Sequence, residues 1–281
     1  MKNLIVSSKK ILTSRGFWLC AGMTVMLLFT TSVYTDTTTM NSYSVIRSLT
    51  DLTAEERAEH YELCRTLVMR GARGGWFTMF VPIITAFCFV PQMCAERDSG
   101  AVRFQVFRSS RLKYNAAQFV SGTLAAGMAV LIGYALFCGA VYFLFPAPSE
   151  YSEWDAELIA FYGASFPKLL LETWLFSVFH SIPSMFCTAV MRNRYLIMCL
   201  PFFLKYALTQ TVQMIQQNAF GDYENIDLDL LNLTNIINPE GLLQIAELPD
   251  FKAPALFFGI TAAVFMAAYL VIGQNRRDHG A

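Results

Sequence analysis

Charge is what this sequence has least of: of 281 residues only 15% are Asp, Glu, Lys or Arg, against roughly a quarter in an ordinary soluble domain. With 55% of the chain hydrophobic and 24 residues Phe, that charge cannot clothe a soluble surface, and a single soluble core is excluded. Catalytic signatures are equally sparse. No Gly-x-x-x-x-Gly-Lys-Ser/Thr loop occurs, so the chain is not expected to bind ATP in that way. There is no His-Glu-x-x-His, and His60, His180 and His279 fall in two loops and one span, whereas a metal site needs clustered ligands. Gly163-Ala164-Ser165 lacks the Gly after Ser165 that a nucleophile elbow requires, so an intramembrane hydrolase is not supported. Seven Cys give no disulfide framework: Cys20, Cys88, Cys138, Cys187 and Cys199 fall in apolar runs, Cys94 at the edge of one, and only Cys64 in a loop. No linker, repeat or low-complexity tract divides residues 1–281. One domain is expected, without enzymatic activity of its own and with no nucleic-acid partner.

What is abundant is apolar sequence in runs of about twenty residues, enough to cross ~30 Å of hydrocarbon. Six recur, about 17–33, 76–93, 119–145, 169–190, 195–215 and 253–273, and they predict an all-α polytopic membrane protein with six transmembrane helices. The net charge of zero hides a partition. Segments 1–16, 94–118, 191–194 and 274–281 hold thirteen Lys/Arg and three acids (Glu96, Asp98, Asp278), against seven bases and seventeen acids in the opposite segments. Lys/Arg bias fixes orientation, so both termini are expected in the cytosol and the chain in the cell membrane. Arg65, Arg70 and Arg73 fall on the outer side of this scheme, in a connection of about forty residues where the bias is followed less faithfully. The Lys-bearing start has the outline of a signal peptide, yet Thr30-Thr31-Ser32-Val33-Tyr34 offers no good cleavage site, so an uncleaved first span is expected.

Between the spans the pattern is also informative. Residues 1–16 carry Lys2, Lys9, Lys10 and Arg15, with Leu4, Ile5, Ile11 and Leu12 on one helical side. This is either an interfacial helix or simple topogenic charge. Thr53 and Glu56 have capping-box spacing and predict an outer helix from Ala54 to about Val68, as a tie between spans or a partner surface. Ala135-x-x-x-Gly139 is a small-x-x-x-small pair suited to close helix approach. Pro82, Pro91, Pro183 and Pro201 lie inside spans, where they are candidate hinges. Residues 216–252 are acidic but too rich in Leu and Ile for a free loop, and re-entry into the outer leaflet requires their backbone to be buried against protein.

The segment from Ala95 to Tyr114 is out of keeping with everything around it. Between two apolar runs it carries Glu96, Arg97, Asp98, Arg103, Arg108, Arg111 and Lys113. Read by residue alone, these bases either hold a loop inside or give a partner in water a place to grip. Gly100 can end or redirect the preceding helix. Val102, Phe104, Val106 and Phe107 offer an apolar body, and the bases can pair with acids on a partner or with lipid phosphate. Glu96-Arg97 with Gly100, then Arg108-Ser109-Ser110-Arg111, then Tyr114, resembles the region between the second and third spans of type-2 ABC exporter permeases. The span pattern agrees over nearly the whole chain, with one departure: Gln118 stands where that family often has Lys. The resemblance implies a coupling helix seated in a groove of a separate ATPase subunit, with Glu96, Arg97, Gly100, Phe104, Phe107, Arg108, Arg111 and Tyr114 at the joint. It implies ATP and Mg on that ATPase and no cofactor in this chain. It further implies a second six-span copy or paralogue, and export by alternating access.

Two ionisable residues lie within spans, Glu172 and Lys205. Each costs about 3 kcal/mol near the bilayer centre and is expected to face protein or water. With His180 they are candidate pathway residues, although their depths differ by roughly two turns and a direct pair needs a bent helix or snorkelling. So few buried acids disfavour a secondary carrier driven by protons or sodium. A membrane anchor or immunity-type protein that binds a partner without transporting is the other alternative.

Overall fold

The computed structural model describes residues 2–36, 40–108, 110–148, 151–163, 165–219, 228–244 and 252–275. It opens with helix α1 (Lys2–Leu12), which meets α2 (Arg15–Thr30) at an angle of 55°. The break is local chemistry: the Ser14 hydroxyl accepts from the Phe17 N–H and starts α2 as a new helix. At the other end, Thr30 and Thr31 both donate to the Leu27 carbonyl, and the backbone turns extended at Thr31. The first expected span therefore stops short. Sixteen residues rise about 24 Å, and residues 32–35 belong to a strand instead.

That strand, β1 (Ser32–Thr35), pairs antiparallel with β2 (Ser42–Ser44), Tyr34 opposite Tyr43 and Thr35 opposite Ser42. β-branched and aromatic residues favour the pleat, and Tyr34 stacks on Tyr43 and packs against the tilted ring of His60. An all-α expectation missed this hairpin. The outer helix expected over 54–68 is likewise divided. After α3 (Val45–Thr50) come α4 (Ala54–Glu59), a 3-10 turn (Tyr61–Leu63) and α5 (Arg65–Gly71). The capping box at the start of α4 is present, Thr53 and Glu56 bonding reciprocally. The division follows from burial. The 3-10 turn tucks Leu63 wholly inside and α5 buries Val68 and Met69, whereas α4 has no buried residue, so one straight helix cannot serve both.

The body of the molecule is α6 (Gly75–Asp98), α8 (Arg111–Leu144), α10 (Phe166–Val190), α11 (Arg194–Ala219) and α13 (Lys252–Asn275), with short helices α7 (Ala101–Arg108), α9 (Glu153–Tyr162) and α12 (Leu228–Ile237) between them. These five long helices are long and apolar enough to cross a membrane, and the bent α1–α2 pair meets the same test as one broken span. The protein is thus a mostly helical, multi-pass membrane chain. α6, α8, α10 and α2 form the core, with Phe77, Phe89, Tyr134, Phe137 and Phe176 fully buried. α13 is the least buried of the long helices and presents Leu256, Ile260, Val264 and Val271 outward.

Close packing depends on glycine at particular points. A Cβ on Gly133 of α8 would lie 2.6 Å from the Ala21 carbonyl oxygen of α2, and one on Gly127 2.4 Å from Val178 of α10. Gly139, picked out by the small-x-x-x-small spacing, has nothing within 4 Å and does not serve packing inside the chain. Gly16 makes a subtler contact: its Cβ would lie 2.5 Å from the Phe87 carbonyl oxygen. Phe87 is the residue four before Pro91, so its carbonyl has no intrahelical N–H to accept, and the start of α2 covers it.

Candidate functional site

The end of the bundle that carries the α6–α7 junction is organised by two adjacent side chains pulling in different directions. α6 ends with Ser99, and Gly100 takes φ +69, the left-handed conformation that releases α7 at a new angle. One turn earlier, Glu96 is nearly buried beneath three donors. Lys10 Nζ of α1 lies at 2.5 Å, Gln92 Nε2 at 3.1 Å and Gln118 Nε2 of α8 at 3.3 Å. Gln118 also donates to the Tyr114 hydroxyl at 2.8 Å. The amide at 118 thus bridges the acid and the tyrosine, while the positive charge on Glu96 comes from the N-terminal helix.

Arg97 reaches the opposite way. Its guanidinium donates to the carbonyls of Thr188 (3.2 Å), Met191 (2.9 Å) and Arg192 (3.1 Å). These are carbonyls around the end of α10, the negative pole of that helix, where a cation is stabilised by dipole and hydrogen bonds together. Two neighbouring residues of α6 therefore tie it to α1, α8 and α10 just before the chain breaks into α7.

α7 stands off this knot. Val102 and Val106, one turn apart, are half-buried toward the bundle, while Phe104 on the opposite side is 75% exposed. The side chains of Arg103, Phe107 and Arg108 lie outside the described residues, as does Ser109. Arg111 opens α8 half-buried, and Tyr114 is buried. Between α7 and the ends of α6, α8, α10 and α13 lies a cavity of about 370 Å³.

Toward the other end, the structure separates the two charges expected as a pathway pair. Glu172, fully buried, pairs with Arg73 at 2.9 Å, and Arg73 itself is only 3% exposed. Lys205 pairs with Glu240 at 3.0 Å. Glu240 belongs to a 3-10 turn (Pro239–Leu243) that packs against α10 and buries Leu242 and Leu243. Lys205 is eleven residues into α11, roughly 16 Å along its axis, so the turn reaches back to mid-helix, with Pro239, Leu242 and Leu243 buried against protein. Residues 220–227 and 245–251, in the connection where re-entry was considered, lie outside the described residues. Around Arg73, Gly74, Thr78, Arg70, Glu62 and Glu240 is a second cavity of about 500 Å³.

His180 is buried in α10, its Nδ1 2.8 Å from the Phe176 carbonyl and its ring against Phe176. Its Nε2 has no hydrogen-bond partner among the described residues, and no group of metal-ligating side chains occurs among them. Pro82 and Pro201 are buried inside α6 and α11, Pro183 is half-buried in α10 and Pro91 faces outward.

The Arg73–Glu172 pair was missed by sequence reasoning because 99 residues separate its members. A signal existed: a base on the wrong side of the charge partition next to a span, and an acid inside a span, each lacking a reason to be there. Comparison with protein-family models, curated proteins and solved structures finds no match to any of them.

Proposed function

We propose that this chain is the membrane-spanning permease subunit of an ATP-driven exporter of the type-2 ABC kind, resident in the cell membrane with both termini cytosolic. Two copies, or one copy and a paralogue, form the pathway, and separate ATPase subunits that hold ATP and Mg bind their cytosolic faces. The observation that carries this reading is the junction at Gly100. A short helix with an outward Phe104 hangs from a point where Glu96 and Arg97 fasten α6 to three other helices. A push on α7 is transmitted to that knot, not absorbed by a flexible loop. In this scheme Glu96 and Arg97 transmit the movement and Gly100 sets its angle. Phe104 docks in the ATPase groove, and Tyr114 anchors the start of α8. The prolines at 82, 91, 183 and 201 give the spans points at which to bend. Glu172 and Lys205, each matched to its own counter-ion, serve the structure of the outer half and not an ion-coupled carrier.

The test is purification of the full chain with its neighbouring ATPase. Nucleotide hydrolysis is expected to co-purify with the wild type and to fall about tenfold or more with Phe104→Asp, which places a charge where an apolar anchor docks. Undiminished retention in that variant, or substrate flux by the chain alone under a proton gradient, overturns the reading.

A further inference from the structure

The cavity beneath α7 has an electrostatic character unlike the rest of the molecule. Arg97, Arg111 and Arg192 line it, and Asp98 is its one acid. Asp98 also lies 3.9 Å from Arg194, so bases outnumber acids on this side of the cavity. The backbone fixes one of them and the chain positions of the other two. Arg97 is fixed on the carbonyls around the end of α10, and one of those carbonyls belongs to Arg192, so the turn that bears Arg192 is fastened too. Arg111 is the first residue of α8, directly after its Ser110 cap.

The other walls are mixed: Asn115, Gln118 and Thr188 are polar, while Met93, Ala189, and Val102 and Val106 from α7 give an apolar side. Tyr269 and Gly273, near the end of α13, close the side. The cavity therefore opens where α6, α10 and α13 end, beside the long helix least buried by protein. Basic pockets between membrane helices at this level suit phosphate headgroups, and guanidinium groups suit phosphate oxygens in particular. A soluble phosphate has no use for the valine wall, whereas a glycerol backbone and the first methylenes of an acyl chain do.

We propose that this cavity is a binding site for the headgroup of an anionic phospholipid, with Arg111 and Arg192 holding the phosphate and Val102 and Val106 covering the glycerol. The lipid then forms part of the floor on which α7 rests. This does not depend on the ATPase reading, since the site is complete within one chain.

The experiment uses the full chain purified in a neutral detergent and supplied with phosphatidylglycerol, phosphatidylcholine or inorganic phosphate. Bound lipid is read by native mass spectrometry and stability by the thermal unfolding midpoint. Phosphatidylglycerol is expected to remain bound and raise the midpoint, and the other two are expected to do neither. Arg111→Gln with Arg192→Gln lowers phosphatidylglycerol retention roughly tenfold or more, at ~1 kcal/mol per basic residue. Val106→Trp, which fills the cavity and keeps every charge, lowers it as well, and decides the matter if the arginine variant does not fold. Arg47→Gln, at an exposed position of α3 at the opposite end, leaves retention unchanged. Equal retention of phosphatidylcholine overturns the proposal, as does undiminished retention in Val106→Trp. A midpoint shift with inorganic phosphate alone assigns the cavity to a soluble anion and overturns it too.

Discussion

At the scale of single residues, Glu172 and Arg73 show how a charge inside a span is tolerated. Both are withdrawn from solvent, and their 2.9 Å contact, with Arg73 Nη1 also donating to the Leu169 carbonyl, replaces part of the hydration lost, while Arg73 Nε has no hydrogen-bond partner among the described residues. Removing one member leaves the other buried and uncompensated, a cost of about 3–5 kcal/mol, whereas replacing both by apolar residues of similar size is often nearly neutral. Arg73→Ala and Glu172→Ala are each expected to lower the thermal midpoint sharply, and Arg73→Met with Glu172→Leu to recover much of the loss. A double-variant cycle on purified protein checks this, and additive losses would contradict it. Outside the bundle, hydrogen bonds from the Thr53 backbone and hydroxyl hold the Glu56 carboxyl below the usual carboxylate range. The charged form is thus favoured in the folded state. Its contribution to α4 is complete above the ordinary carboxylate pKa and disappears as pH falls through the lowered one. The protection factors of the amides over residues 56–59, relative to the unstructured rate at each pH, are expected to fall in that acid window and to be low at both in Thr53→Ala.

At the scale of elements, helix contacts turn on where a side chain is absent. Gly16 sits against the carbonyl that Pro91 leaves without a donor, and Gly133 against α2. Gly16→Ala and Gly133→Ala each force a methyl onto backbone and are expected to cost about 1–3 kcal/mol, seen as a lower unfolding midpoint. Gly139→Ala meets nothing and is expected to be neutral or slightly stabilising, since alanine is the better helix former. A clear loss with Gly139→Ala would mean that another chain packs there. The Ala135–Gly139 spacing was legible in sequence but its use was not, because a spacing gives the helix face and not the neighbour. By contrast the capping box at Thr53 was legible in full, since both partners lie within one turn and nothing distant is needed to form it.

At the scale of the whole molecule, two faces differ in chemistry. One carries α7, the Glu96–Arg97 knot and the arginine-lined cavity; the other carries the hairpin, α3 to α5 and the larger cavity with Arg73 and Glu240. In a Cys199→Ser background, which removes the exposed native thiol, a cysteine at Phe104 is expected to react with an impermeant reagent only after the cells are opened. One at Glu55 is expected to react in intact cells. The reverse pattern would remove the basis for the ATPase reading while leaving the fold as described.

Composition and the recurrence of apolar runs were enough to determine the membrane class, the places of the long helices and the segment where the chain turns basic. Those properties are sums over neighbours in sequence, and hydrophobic length is such a sum. The partners of Glu172, Lys205, Glu96 and Arg97, the short β-hairpin after α2, and the cavity under α7 were settled only by tertiary structure. Each arises where helices far apart in the chain come side by side. A buried charge then takes whichever counter-charge or carbonyl the packing brings within about 3 Å, and no local pattern records which one that is.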